Sequence, residues 1–138
     1  MIRAVIDTNV IVSALLAKNP AQSIPFQIIS YGLDDCFSMI ISHDTFREYR
    51  EVLYREKFQF DKQLVDILLD GICNHSTIIE PESTTIALPD EKDRVFVNLL
   101  MSCPPATYLV TGNLKHFPNC PNVVTPRQFL EIFSDIIE

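Results

Sequence analysis

Apolar positions in this chain fall into short blocks separated by polar breaks, and the blocks are of two kinds. Ile2 to Ile6, Cys36 to Ile41, Ser76 to Ile79 and Tyr108 to Val110 are brief apolar runs bounded by turn or cap residues, as buried strands are; Val123-Val124 reads as an edge strand. The remaining blocks repeat at helical spacing. Val10 to Ala17 is apolar on most positions. Ser23 caps a second helix, with Pro25 in its first turn, running to about Tyr31 and stopping at Gly32. Ser42-His43-Asp44 opens a longer helix, about Asp44 to Lys57, whose core face is Phe46, Tyr49, Val52 and Leu53. Asp61 starts another, with Leu64, Val65, Leu68, Leu69 and Ile72 inward. Around Asp93 a helix begins that carries Val95, Phe96, Leu99 and Leu100 and ends at Cys103-Pro104-Pro105. Pro126 opens a terminal helix with Phe129, Leu130 and Phe133 inward. Pro81 to Pro89 is loop.

Apolar strands alternating with helices indicate a parallel sheet covered on both faces, an α/β fold. A length of 138 residues with no repeat or linker is expected to form one domain over 1–138. In such sheets ligands bind at the carboxyl ends of the strands, near a switch in strand order.

Composition narrows the function. With 47% hydrophobic and 21% charged residues a core can form. No apolar run approaches the roughly 18 residues of a membrane span. Met1 to Asp7 lacks the form of a signal peptide, so a cytoplasmic location is expected. Cys36, Cys73, Cys103 and Cys120 show neither paired nor zinc-finger spacing and read as buried or partly buried thiols. The net charge of −7 argues against a broad basic nucleic-acid surface, yet acids gathered around cations would also produce it.

The chemistry therefore rests on carboxylates. Asp7 ends the first strand, Glu48 lies one turn into the helix after the second, and Asp90 and Asp93 begin the helix before the Tyr108 strand, which Asn113 follows. In a parallel sheet all lie near one edge. Glu48 falls about 40° beyond Val52 on a helical wheel, just outside the apolar stripe. Convergent carboxylates suit Mg²⁺ or Mn²⁺ and phosphodiester hydrolysis without a Ser or Cys nucleophile. Each residue alone has an ordinary role: Asp7 as a cap, Glu48 solvated, Asp93 favoured by a helix dipole, Asn113 in a turn.

Three stretches together resemble the PIN-domain ribonucleases. They are Val5-Ile6-Asp7-Thr8-Asn9-Val10, Ser42 with Glu48-Tyr49 and Val52-Leu53, and Asp90-x2-Asp93-x2-Phe96 with Tyr108-Leu109-Val110-Thr111-Gly112-Asn113 behind it. The similarity runs in order from residue 2 to about residue 130 and is nearest to the branch of toxin components of toxin–antitoxin pairs. It implies a Rossmann-like three-layer domain with a mostly parallel sheet of 4–5 strands, Mg²⁺ or Mn²⁺, and cleavage of single-stranded RNA. The family's acids map to Asp7, Glu48 and Asp93, with Asp90 ranked below. Thr8 and Asn9 match residues that order the first acid, and Thr111 matches a supporting hydroxyl. An antitoxin partner and a homodimer are further implications. Two positions depart: Asn113 stands where Asp is usual, and Arg94 where this branch commonly has another acid. Both predict weaker metal binding, and a non-catalytic binding module is the alternative. An α/β domain that binds phosphate through a strand-end Lys ranks last, since Lys115, past the turn, is the one candidate.

Arg47, Arg50, Arg55 and Lys57 read first as a solvated face paired with Glu51 and Glu56, and second as a substrate patch. His116 reads as a surface-loop residue near the site.

Overall fold

The computed structural model describes residues 1–137. Five strands form one sheet: β1 (Arg3–Ile6), β2 (Ser38–Ile41), β3 (Ser76–Ile78), β4 (Tyr108–Val110) and β5 (Val123–Val124). Every pairing is parallel and the spatial order is β3-β2-β1-β4-β5. Among the described residues six helices flank the sheet: α1 (Thr8–Leu16), α2 (Ile24–Leu33), α3 (His43–Leu53), α4 (Lys62–His75), α5 (Arg94–Ser102) and α6 (Pro126–Ile137). The expected α/β architecture is present, with the sheet wholly parallel. Among the described residues no helix is long and apolar enough to cross a membrane.

Continuous apolar runs form the central strands because both sheet faces are dry. Ala4, Val5 and Ile6 are all buried, as are Met39, Ile40 and Ile41, although alternate side chains point to opposite faces. The chain builds outward from β1 to β2 and β3, then returns to place β4 on the other side of β1. The carboxyl ends of β1 and β4 therefore meet at the switch point, where helices diverge and a crevice opens.

Several boundaries differ from those read in the sequence. Helix α1 begins at Thr8, because the extended backbone of Asp7 already occupies the N-cap. Gly32 does not stop α2. A Cβ there would lie 2.6 Å from Met39 Sδ, so the glycine lets the helix pack closely on β2. Helix α3 ends at Leu53, not Lys57, and a 3₁₀ turn, Glu56–Phe58, follows. Glu56, one turn beyond Val52, carries no apolar group to extend the core face. On α4 the inward stripe is Val65, Leu69 and Ile72, and Leu64 is 51% exposed. All four cysteines are free, but Cys36 and Cys73 are exposed rather than buried.

The segment between β3 and α5 is held without strand pairing. Arg94, Asn98 and Ser102 recur every four residues along α5 and form one polar stripe. The Arg94 guanidinium donates to the carbonyls of Thr84 and Ile86, at 3.4 and 2.5 Å. Asn98 Oδ1 accepts from the Thr84 amide and hydroxyl, and Ser102 Oγ from the Glu82 amide. The stripe satisfies backbone groups that a sheet would otherwise take up.

Candidate active site

The backbone ladder continues one step past β1, where the Asp7 amide donates to the Val110 carbonyl at 2.9 Å. This fixes Asp7 between β1 and β4 at the first residue of the crevice. Its backbone is the N-cap of α1, but its side chain makes no capping hydrogen bond. Instead Asp7 Oδ2 accepts from Thr111 Oγ1 at 2.7 Å. Thr111 is fully buried at the end of β4. Asn9 closes the same corner: its Oδ1 accepts from the Gly112 amide at 3.1 Å, and its Nδ2 reaches Thr111 Oγ1 at 3.4 Å.

Glu48 is positioned by the start of α3. Ser42 and Thr45 form a reciprocal capping box, the Ser42 hydroxyl accepting from the Thr45 amide and the Thr45 hydroxyl from the Ser42 amide. One turn later Glu48 leans beside the buried face, and its Oε2 accepts the hydroxyl proton of Thr8. The next residue, Tyr49, is fully buried and donates to the carbonyl of Ile6, the last residue of β1. Two adjacent residues of α3 thus contact the two residues flanking Asp7.

Asp93 sits at the backbone N-cap of α5 and, like Asp7, makes no capping bond. The local capping is done by exposed Asp90, whose Oδ1 accepts from the Lys92 amide at 2.9 Å. His116 Nδ1 lies 3.1 Å from Asp93 Oδ2. The two groups are close but poorly aligned, and Asp93 Oδ2 is a buried oxygen without a hydrogen-bond partner. His116 is half-buried, not a free surface-loop side chain. Asp7, Thr8, Asn9, Glu48, Asp93 and His116 line one open cleft of about 340 Å³, with Val12, Ser13, Val52 and Phe58 completing it. Asp90 and Asn113 are not in that lining; the Asn113 amide donates to Thr111 Oγ1 at 3.1 Å. Arg94, expected to bring positive charge to the site, is also outside it. Its guanidinium is bound to both Glu91 carboxylate oxygens and to the 84–86 segment.

The family model described as PIN domain matches residues 3–115. The chain belongs to the PIN-domain family. Neither a curated protein nor a solved structure matches it significantly. PIN domains are usually nucleases that use divalent metals, which suggests nuclease function in general terms.

In this PIN domain the cleft is crowded with negative charge. Burial holds the Asp7 carboxyl up at about 6; the Thr111 hydrogen bond opposes this, and the charges of Asp93 and Glu48 add to it. Burial also raises Glu48, against the pull of the Thr8 hydroxyl and the Arg55 charge. Asp93 is raised chiefly by burial, against the nearby His116. Among the described residues, no group of three or more His, Cys, Asp or Glu is arranged as a ready metal cage. The donor set nonetheless fits a hard cation: three carboxylates face one cleft, each disfavoured as an anion there, and the buried Asp93 Oδ2 has only the poorly aligned His116 ring beside it. His116 and Phe58 were not singled out as cleft residues by sequence, because each lies in a 3₁₀ turn where no periodicity marks a direction.

Proposed function

We propose that the chain is a metal-dependent endoribonuclease acting on single-stranded RNA, the toxin of a toxin–antitoxin pair. Asp7, Glu48 and Asp93 are the residues that would hold Mg²⁺ or Mn²⁺, with Asp90 and Asn113 as outer contributors. Thr8, Asn9 and Thr111 orient the acids. The observation that carries this reading is Asp7: a buried carboxylate that leaves its helix uncapped and instead faces a cleft shared with two other acids. A buried aspartate anion held by one side-chain hydroxyl is costly, and a bound cation offsets that cost.

A divalent ion bound there supplies the positive charge that polarises a phosphoryl oxygen and lowers the pKa of attacking water. The protein's own contribution is orientation. Thr111 and Thr8 each give their single hydroxyl proton to a carboxylate oxygen, leaving the other oxygen of that carboxylate available. Val12, Val52 and Phe58 supply the apolar part of the cleft wall. A basic antitoxin segment is the natural inhibitor of so acidic a cleft, and a homodimer is the assembly the toxin resemblance implies.

The test is cleavage of a mixed-sequence single-stranded RNA with Mg²⁺ or Mn²⁺ by wild type and Asp7→Asn, with circular dichroism as the check on folding. Loss of cleavage in the folded variant is expected, and equal cleavage overturns the reading. A second reading, a non-catalytic binding module, is favoured by Asn113, which offers a carbonyl where a charge is usual. Calorimetric titration with Mn²⁺ separates the two: absence of binding at millimolar ion supports the module.

A further inference from the structure

The lining of the cleft is of two kinds. Beside the acids stand Val12, Val52 and the ring of Phe58. Phe58 belongs to the turn that joins α3 to α4, and it is half-buried without joining the hydrophobic core. Phe60 packs against that core, and the two rings stack with centroids 5.3 Å apart and planes 7° from parallel. Gln59 between them adopts φ 52°, a left-handed conformation that costs a side-chain-bearing residue roughly 1–2 kcal/mol. A turn that accepts this strain to brace an aromatic ring at the cleft wall, outside the core, has the form of a contact surface.

The same turn carries cations. Lys57 Nζ lies 5.0 Å from the Phe58 centroid. Arg55 is exposed and stands three residues before Phe58 in the same turn. Arg55 and Lys62 line the adjoining hollow with Leu53, Tyr54 and Phe60. The expected pairing of Arg55 and Lys57 with Glu51 and Glu56 is not observed: among the described residues neither forms an ion pair, and nor does Lys62. By contrast Arg47 pairs with Asp44 at 3.8 Å, and Arg50 lies over Phe46. In a chain of net charge −7, three cations without an ion pair among the described residues, Arg55, Lys57 and Lys62, thus fall within eight residues at the aromatic turn beside the acidic cleft.

We propose that the turn from Arg55 to Phe60 is a nucleobase platform, on which Phe58 stacks a base of single-stranded nucleic acid while Arg55 and Lys57 hold the phosphates flanking the acidic cleft. This rests on the nuclease reading above and names how its substrate is gripped. Aromatic stacking joined to local cations is how proteins hold single strands of any sequence, since every base has a π face. A duplex keeps its bases stacked on one another and cannot supply one, so the platform selects unpaired strands.

The test is fluorescence anisotropy with a labelled single-stranded RNA in the Asp7→Asn background, with each nucleotide replaced in turn by an abasic one. Phe58→Ala and Phe58→Leu should weaken binding by roughly 5- to 150-fold, the size of one lost stacking contact, and Phe58→Tyr should retain it. At one abasic position the intact platform should lose a similar factor and the Phe58→Ala protein almost nothing. No coupling at any position, or equal affinity for a duplex of the same sequence, overturns the platform even where Asp7→Asn has lost cleavage. Conversely, RNA cut equally by Asp7→Asn overturns the role of the acids, while the abasic scan still reads the platform. No binding of RNA by the wild-type chain overturns both.

Discussion

The hydroxyl of Thr111 gives its one proton to Asp7 Oδ2 at 2.7 Å, and its lone pairs receive the Asn113 amide and the Asn9 side chain at 3.1 and 3.4 Å. One buried side chain just past β4 thereby sets the rotamer of the acid that follows β1 and the path of the chain that leaves β4. The two strands are hydrogen-bonded neighbours, which makes the contact possible across 104 residues of sequence.

Thr111→Val keeps the volume and removes the donor. The Thr111 bond lowers the Asp7 pKa, so its loss should drive that carboxyl above its present value of about 6. Stability should fall by about 1–2 kcal/mol in urea unfolding, with Thr111→Ser restoring most of it. If cleavage depends on ionised Asp7, its acid limb should move to higher pH in Thr111→Val. An unmoved limb would separate Thr111 from the function of Asp7.

Asp7 also predicts how stability changes with pH. Its folded pKa, about 6, is raised above the ordinary 3.8. Between these values the native state binds more protons than the unfolded state, so stability is greatest below the unfolded pKa and is lost as pH rises through the folded one. A shift of this size amounts to about 3 kcal/mol. In chelator, wild type should therefore lose stability between about pH 4 and 7, with Glu48 and Asp93 adding in the same direction. Asp7→Asn should flatten much of that slope and match or exceed wild-type stability at neutral pH. A variant less stable than wild type at every pH would mean that the carboxylate itself supports the fold.

Much of this arrangement is legible in the sequence, and what is not has a common cause. The order of strands and helices follows from apolar runs and helical spacing, because burial imposes both patterns. Asp7, Glu48 and Asp93 fall toward one sheet edge once the sheet is parallel, since each sits at or near an element's end. Sequence gives a residue's place on an element but not where a long side chain turns. Arg94 follows Asp93 directly, yet its guanidinium runs to Glu91 and the 84–86 segment. His116 and Phe58 sit in 3₁₀ turns whose facing depends on tertiary contacts. Gly32 looked like a stop signal because a close approach to Met39 leaves no mark in the local pattern.

Tyr49 supports β1 from below the cleft. It is fully buried, and its hydroxyl donates to the Ile6 carbonyl. Tyr49→Phe leaves that buried acceptor without this donor while preserving the ring's packing beside Phe96. A loss of about 1–3 kcal/mol is expected from urea unfolding, larger than for exposed tyrosines. The raised pKa of Tyr49 means that the hydroxyl stays a donor throughout the neutral range, so the loss should not vary with pH near neutrality. A loss that disappears near neutral pH would indicate that the bond is not made as described.

Arg94 separates the structure's reading from the sequence's most directly. A cation beside Asp93 was expected to weaken metal binding. The guanidinium instead donates to both oxygens of Glu91 and to the carbonyls of Thr84 and Ile86, with its side chain 19% exposed. The Glu91 pair is largely solvated on the acid's side and contributes little, whereas the part-buried bonds to carbonyls carry the effect. Arg94→Ala should therefore lower stability in urea unfolding and open the 82–86 segment. Hydrogen exchange at the Thr84 amide, now bonded to Asn98, should accelerate. Mn²⁺ affinity should stay within about threefold of wild type, well under the 1.4 kcal/mol of a tenfold change. A tenfold or greater gain in affinity, with the Thr84 amide still protected, would show that Arg94 acts on the cleft after all.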